Sequence, residues 1–255
     1  MSLFKRILSF KETLVQGDQR KATRYPVGPD FPLKTMLNLF GRDAAGNLLE
    51  SSDGTGRDWS GRMLNLSATG ASMRLPNSAI AMRGEFCRLK FSIGDSILEI
   101  PANVAHFKVH STHATCGVEL RFPDQETHAA YLQLLQPVAV GSSLAAVDSK
   151  KVKQDTPGFH KEEFKGDSSH LTIWRAGSAS GTLQGFDFRM ANYGVRWTDG
   201  MEELDTYGVV QGSDNPVEIT PAQQVEVRWL FCLAVPNLSK AVPPDVREFF
   251  GRLVA

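Results

Sequence analysis

Two arginines, Arg20 and Arg24, stand four residues apart near the amino end, and Asn65-Leu66-Ser67-Ala68-Thr69-Gly70 follows further along the chain. A guanidinium group is planar, permanently charged and bidentate, so it suits phosphate oxygens or the O6/N7 edge of guanine. In an extended segment the two arginine Cα atoms lie at most about 13 Å apart, close enough to grip one compact ligand from either side. Asn65 and Ser67 are two residues apart and share a face if they lie on a strand. The Asn65 amide offers both a donor and an acceptor, and the Ser67 hydroxyl can bond a phosphate or a base edge. Gly70 fits a turn that needs positive φ, or a place where the backbone comes close to another group. Gln19, Lys21 and Arg74 flank these positions and are secondary members of the set. This chemistry holds a small anion; it does not break bonds.

The elements that must position these residues read as mostly β from 31 to 122. Pro32 to Phe40 is a first strand, and Gly41 to Gly61 is a long glycine-rich loop. Arg62 to Leu75 is strand-like with a turn near Thr69-Gly70, and Phe86 to Phe91 alternates apolar and polar residues as a half-buried strand does. Ile97 to Val109 and Cys116 to Phe122 form two more strands, joined around Ser111 to Ala114. Gln125 to Leu135 switches to helical spacing, with Ala129, Leu132 and Leu135 on one side. Many short strands followed by one helix make a small barrel with a closing helix.

Arg20 to Arg24 and Asn65 to Gly70, in this order, resemble the two-part signature of PilZ domains, bacterial receptors for the second messenger cyclic di-GMP. Arg24-Tyr25-Pro26-Val27, Met63 to Met73 and Cys116-Gly117-Val118-Glu119-Leu120-Arg121-Phe122 extend the resemblance, which covers residues 19 to 137. It implies a six-stranded β-barrel with a C-terminal helix, and cyclic di-GMP binding at Arg20, Arg24, Asn65, Ser67 and Gly70. It also implies that the arginine segment wraps the ligand on the barrel face and so changes the orientation of neighbouring elements. The Gly41–Gly61 loop is longer than usual for the family. Gln19 occupies the position that bears on whether one ligand or a stacked pair binds.

Gly141 to Ser169 is crowded with charge and poor in apolar residues, and reads as a solvated linker. Beyond it, Leu171 to Trp174, Gly185 to Met190, Gly194 to Trp197 and Val225 to Phe231 are strand candidates, and Pro243-Pro244 leads into a helix over Asp245 to Leu253. Placing Gly70 over Gly194 puts Leu66 on Met190 and Met73 on Trp197, while Asn65 becomes Arg189 and Ser67 becomes Ala191. The expectation is a degenerate PilZ-like domain, a second, smaller β-barrel closed by a helix, that kept the fold and lost the pocket. The alternative is an unrelated small β domain. Trp174, Trp197 and Trp229 are assigned to its core. The resulting division is an amphipathic helix at 1–18, the PilZ domain at 19–140, the linker at 141–169 and the degenerate domain at 170–255.

Composition narrows the classes of function. Lys plus Arg and Asp plus Glu both number 28 in 255 residues. A long polyanion needs a basic surplus, so no nucleic-acid partner is expected. No apolar run is long enough for a membrane span. Cys87, Cys116 and Cys232 lack metal-type spacing and read as reduced thiols in a cytoplasmic protein. His106, His110, His113 and Cys116 form a cluster, but on a strand–turn–strand segment they are expected to scatter. Asp53-Gly54-Thr55 is similar to the aspartic-protease triplet, yet stands once, in a loop. No nucleophile elbow or phosphate loop is present. The chain therefore reads as a receptor and not an enzyme, with no metal or cofactor. Its ligand is cyclic di-GMP, and its binding is coupled to an unidentified protein partner. The alternative is an interaction module without nucleotide binding, working through the tail domain or as a homo-oligomer.

Overall fold

The computed structural model describes residues 22–40, 56–210 and 215–254. The expected helix at 1–18, the candidates Gln19, Arg20 and Lys21, and the Asp53-Gly54-Thr55 triplet lie outside them. The chain divides into two compact units. One comprises Phe31–Leu135 with the segment ending at Val27, and the other comprises Gly28–Asp30 with Gln136–Ala255.

The first unit is a closed barrel. Its strands are β1 (Tyr25–Pro26), β2 (Lys34–Leu39), β3 (Arg57–Ser67), β4 (Gly70–Leu75), β5 (Phe86–Ile93), β6 (Ser96–Val109) and β7 (Ala114–Leu120). The order is β1-β3-β2-β5-β6-β7-β4, and a β3–β4 pairing closes the ring, so β2 to β7 form a six-stranded barrel. Strict alternation drives it: in β5 every second residue, Cys87, Leu89, Phe91 and Ile93, is buried. Leu37, Leu66, Met73, Phe91 and Ile100 fill the interior. Cys87 and Cys116 are buried among them as small hydrophobes, and burial pushes the Cys116 thiol up to about 12. Strand β3 begins at Arg57, so Arg57 to Gly61, expected in the loop, pair with β2 instead.

Helix α1 (Gln125–Ser142) follows the barrel and runs beyond the expected end at Leu135, with Pro137 inside it. Its Tyr131 is fully buried, and the phenol donates a 2.7 Å hydrogen bond to the Ser67 carbonyl, at the end of β3. Burial raises the Tyr131 pKa, so the hydroxyl stays a donor.

The second unit carries β8 (Ala145–Ala146), β9 (Phe159–Lys165), β10 (Ser169–Ala176), β11 (Leu183–Met190), β12 (Tyr193–Thr198), β13 (Asp205–Val209) and β14 (Pro216–Val217), then α2 (Pro221–Ala234) and α3 (Pro244–Val254). These strands pair in sequence order as an antiparallel meander, and among the described residues no pairing joins its two edges. The expected second β unit followed by a closing helix takes the form of a sheet with helices at its C-terminal end. The stretch 141–169, expected to be a linker, supplies β8 and β9. Lys161 and Glu163 on β9 pair with each other, which explains a charged composition in a strand.

Val225 to Phe231, expected as a strand, is helical. Thr220 and Gln223 form a reciprocal capping box with Pro221 at the first helical position, and Val227, Leu230, Phe231 and Ala234 are the buried stripe. The core is built from Phe186, Phe188, Phe231 and Phe250, with the Phe186 and Phe250 rings 4.4 Å apart. Trp174, Trp197 and Trp229 are only half-buried, and Trp174 lies on the face of β10 opposite to the buried Leu171 and Ile173.

Buried Arg175 on β10 ties α3 to the sheet, bonding Asp245 at 2.6 Å and Glu162 at 2.8 Å. The hydrogen bonds from Arg175 outweigh partial burial and hold the Asp245 carboxyl below its ordinary range. A depressed folded-state pKa contributes stability above the ordinary aspartate value of about 4, and this is lost as pH falls through the folded-state value. Asp245→Asn is therefore expected to lower Tm near neutral pH, with the gap to wild type closing in acid; thermal melts across a pH series check this. Tyr131→Phe removes the buried hydrogen bond to the Ser67 carbonyl and is expected to cost about 0.5–1.5 kcal/mol, read from urea unfolding of both proteins.

Candidate functional site

The register of the barrel puts the motif residues on one surface. Strand β1 runs antiparallel to the end of β3, with Tyr25 opposite Leu66 and Pro26 opposite Asn65. The Val27 amide donates to the Leu64 carbonyl at 3.0 Å. Continued by one residue, this pairing sets Arg24 beside Ser67. The two belong to the wall of a single open cavity of about 210 Å³, together with Asn65, Gly70, Ser72, His106, Gly117 and Glu119.

Two β-bulges create this surface. Along β3 the buried residues Trp59 and Met63 keep one parity. The β3–β4 register then skips Leu64, and Leu66 becomes the core residue, which takes Asn65 and Ser67 off the core parity and sets them at the cavity, Asn65 half-buried and Ser67 buried in its wall. On β6 the buried run Leu98, Ile100, Ala102, Val104 is broken by a register shift between Val104 and His106, which turns His106 outward. A bulge inserts one residue and re-aims the side chains beyond it.

Cross-strand neighbours therefore form rungs across β3, β4, β7 and β6. One rung is Asn65–Ser72–Gly117–His106, and the next is Ser67–Gly70–Glu119–Asn103. The middle of the first rung is a serine and a glycine, so its floor is low and its two ends are polar walls. Three strand spacings separate those walls, roughly 14 Å at the backbone.

Gly70 opens β4 immediately after the Ala68–Thr69 turn, with negative φ, so left-handed backbone is not why glycine stands here. The reason is close approach: a Cβ would lie 2.8 Å from the Val118 carbonyl oxygen across the β4–β7 pairing. The turn is held by the Ser67 hydroxyl donating to the Gly70 carbonyl at 3.2 Å, the Leu120 amide donating to Thr69 at 2.9 Å, and the Tyr131 phenol.

Among the described residues, the side chains of Arg24, Asn65, His106 and Glu119 make no hydrogen bond or ion pair with the protein. Their donors and acceptors stay open to a bound molecule. Arg74 lies one rung further, paired with Arg62 on β3 and Thr115 on β7, and Lys108 follows on β6. It is outside the cavity wall, but it contributes to an exposed basic rung of Arg62, Arg74 and Lys108. A cluster of one sign beside a cleft raises the local concentration of an opposite charge.

The histidine cluster does not converge. His110 and His113 stack at the β6–β7 hairpin with centroids 4.6 Å apart, Cys116 points into the core, and His106 faces the cavity. Partial desolvation, then the charges of Arg74 and His110, lower the His113 pKa. No group of three metal-ligating side chains occurs among the described residues, and no helix there is long and apolar enough to cross a membrane. Sequence reasoning missed His106 and Glu119 as cavity residues. Only the Cys116-Gly117-Val118 resemblance hinted that β7 takes part.

Residues 18–136 match the family model of the PilZ domain. Solved structures of similar fold include the PilZ domain with c-di-GMP of YcgR from Escherichia coli, 11% identical, covering 48% of this chain and 92% of that one with a TM-score of 0.35. The Borreliella burgdorferi PlzA protein in complex with c-di-GMP is also 11% identical, covering 73% of this chain and 81% of that one with a TM-score of 0.33. No curated protein matches the chain. Gly70→Ala is expected to force β4 from β7 beside the turn and to cost about 1–3 kcal/mol, read as a lowered Tm with the far-UV spectrum retained.

Proposed function

We propose that the PilZ domain carried at residues 18–136 is a receptor for cyclic di-GMP, bound in the trough on the outer barrel face. One observation carries this reading. Arg24, Asn65, Ser67 and Gly70, four of the five motif positions, meet in a single cavity, and its arginine and amide have no partner among the described residues.

The ligand is a dianion with two purine faces, and the residues divide the work. Arg24 takes a phosphate or the O6/N7 edge of guanine as a forked, charged donor. Asn65 takes a base edge, and the Ser67 hydroxyl swings from the Gly70 carbonyl to the ligand. Glu119, an acceptor on the neighbouring rung, suits the N1 and N2 donors of guanine. Arg20, with Gln19 and Lys21, completes the clasp by the resemblance of the motif. The basic rung through Arg74 draws the dianion in. Contact of the ligand with the arginine segment is the signal passed to a protein partner. No residue in the trough is asked to act as nucleophile or base, so the reading is a receptor and not an enzyme. The free thiols of Cys87, Cys116 and Cys232 agree with a cytoplasmic setting.

Charge-assisted hydrogen bonds contribute about 1.5–3 kcal/mol each. Calorimetry with cyclic di-GMP is therefore expected to show binding by wild type and affinity about 10- to 100-fold weaker for Arg24→Ala. Affinity is also expected to fall as salt rises. No heat with wild type, or equal affinities for the two proteins, refutes the reading.

A further inference from the structure

We infer that His106 is a specificity-determining residue of this site, facing Asn65 across Ser72 and hydrogen-bonding the edge of a purine base held between them. The inference rests on the receptor reading above and extends it to a residue outside the two motifs.

Three observations carry it. First, the bulge at Ala105 reverses the parity of β6, so a histidine in register with the buried run Leu98 to Val104 faces the cavity instead. A bulge on each wall strand, at Leu64 and at Ala105, aims one polar side chain into the same trough. Second, Gly117 is the cross-strand partner of His106, and any Cβ there would run into the imidazole ring. The glycine gives the ring its seat, flat against the backbone of β7. Third, His106 is exposed, and neither ring nitrogen has a hydrogen-bond or ion-pair partner among the described residues.

The occupant follows from the shape and chemistry of the rung. Its open floor is Ser72, between the Asn65 side and the imidazole seated on Gly117, and a planar ring system can enter there. Its ends are an amide and an imidazole, each able to donate and accept. A planar heterocycle with hydrogen-bonding edges fits this frame better than a phosphate, which the arginines serve. His106 thus complements Asn65: the amide reads one edge of the base, and the imidazole holds the other.

The test is calorimetric titration of the full chain with cyclic di-GMP, comparing wild type, His106→Ala and His106→Gln, with Tm recorded for each. One neutral hydrogen bond corresponds to about a 3- to 10-fold change in affinity. His106→Ala is expected to bind about 3- to 10-fold more weakly with unchanged Tm, and His106→Gln, which keeps a donor and an acceptor, to recover part of the loss. Wild-type binding with an equal affinity for His106→Ala overturns this inference and leaves the receptor reading standing. Absence of binding by wild type overturns the receptor reading and this inference with it.

Discussion

A single extra residue in β3, Leu64, decides which way the site faces. Had the strand kept the parity of Trp59 and Met63, Asn65 and Ser67 would point into the barrel and Leu66 would lie outside. An amide and a hydroxyl buried without partners cost free energy, and an exposed leucine forfeits its burial. The bulge resolves both at once: Leu66 stays in the core, and Asn65 and Ser67 line the cavity, where the buried Ser67 hydroxyl finds the Gly70 carbonyl. The matching shift at Ala105 does the same for His106 on β6. The trough is thus a product of two local irregularities in an otherwise regular barrel.

Stability and site share the same backbone at the β3–β4 turn. The carbonyls of Ser67 and Thr69 accept from Tyr131 and Leu120, so the closing helix and the last strand grip the turn from two sides. The Ser67 side chain stays at the cavity while its main chain is anchored. The buried phenol of Tyr131 thus holds the backbone of the turn that lines the cavity.

Charge is arranged locally. The chain is neutral as a whole, yet Arg62, Arg74 and Lys108 stand on one exposed rung beside the cavity. The contrast with the second unit is informative. At its β11–β12 hairpin Arg189 stands 4.0 Å from Asp187, whose carboxylate also accepts from the buried Tyr207 phenol. There the polar groups satisfy one another, whereas in the barrel the Arg24 and Asn65 side chains have no partner among the described residues.

Strands β2 and β5 were legible because their alternation is strict, and the motif residues were legible because their types and order are distinctive. Val225 to Phe231 misled because its apolar residues fit two periods. The capping box of Thr220 and Gln223 behind Pro221 is the local signal that decides for helix. The charged run at 141–169 misled because composition does not register that a strand can pair its own charges, as Lys161 and Glu163 do on β9. By itself the sequence determined the chemical repertoire, namely guanidinium, amide and hydroxyl at spacings suited to an anionic nucleotide, and the order of strands that carries them. Only the tertiary structure decided which side of each strand is exposed and that His106 stands across from Asn65. Parity past a bulge and neighbours across a sheet depend on hydrogen bonds between residues distant in the chain, and no local spacing encodes them.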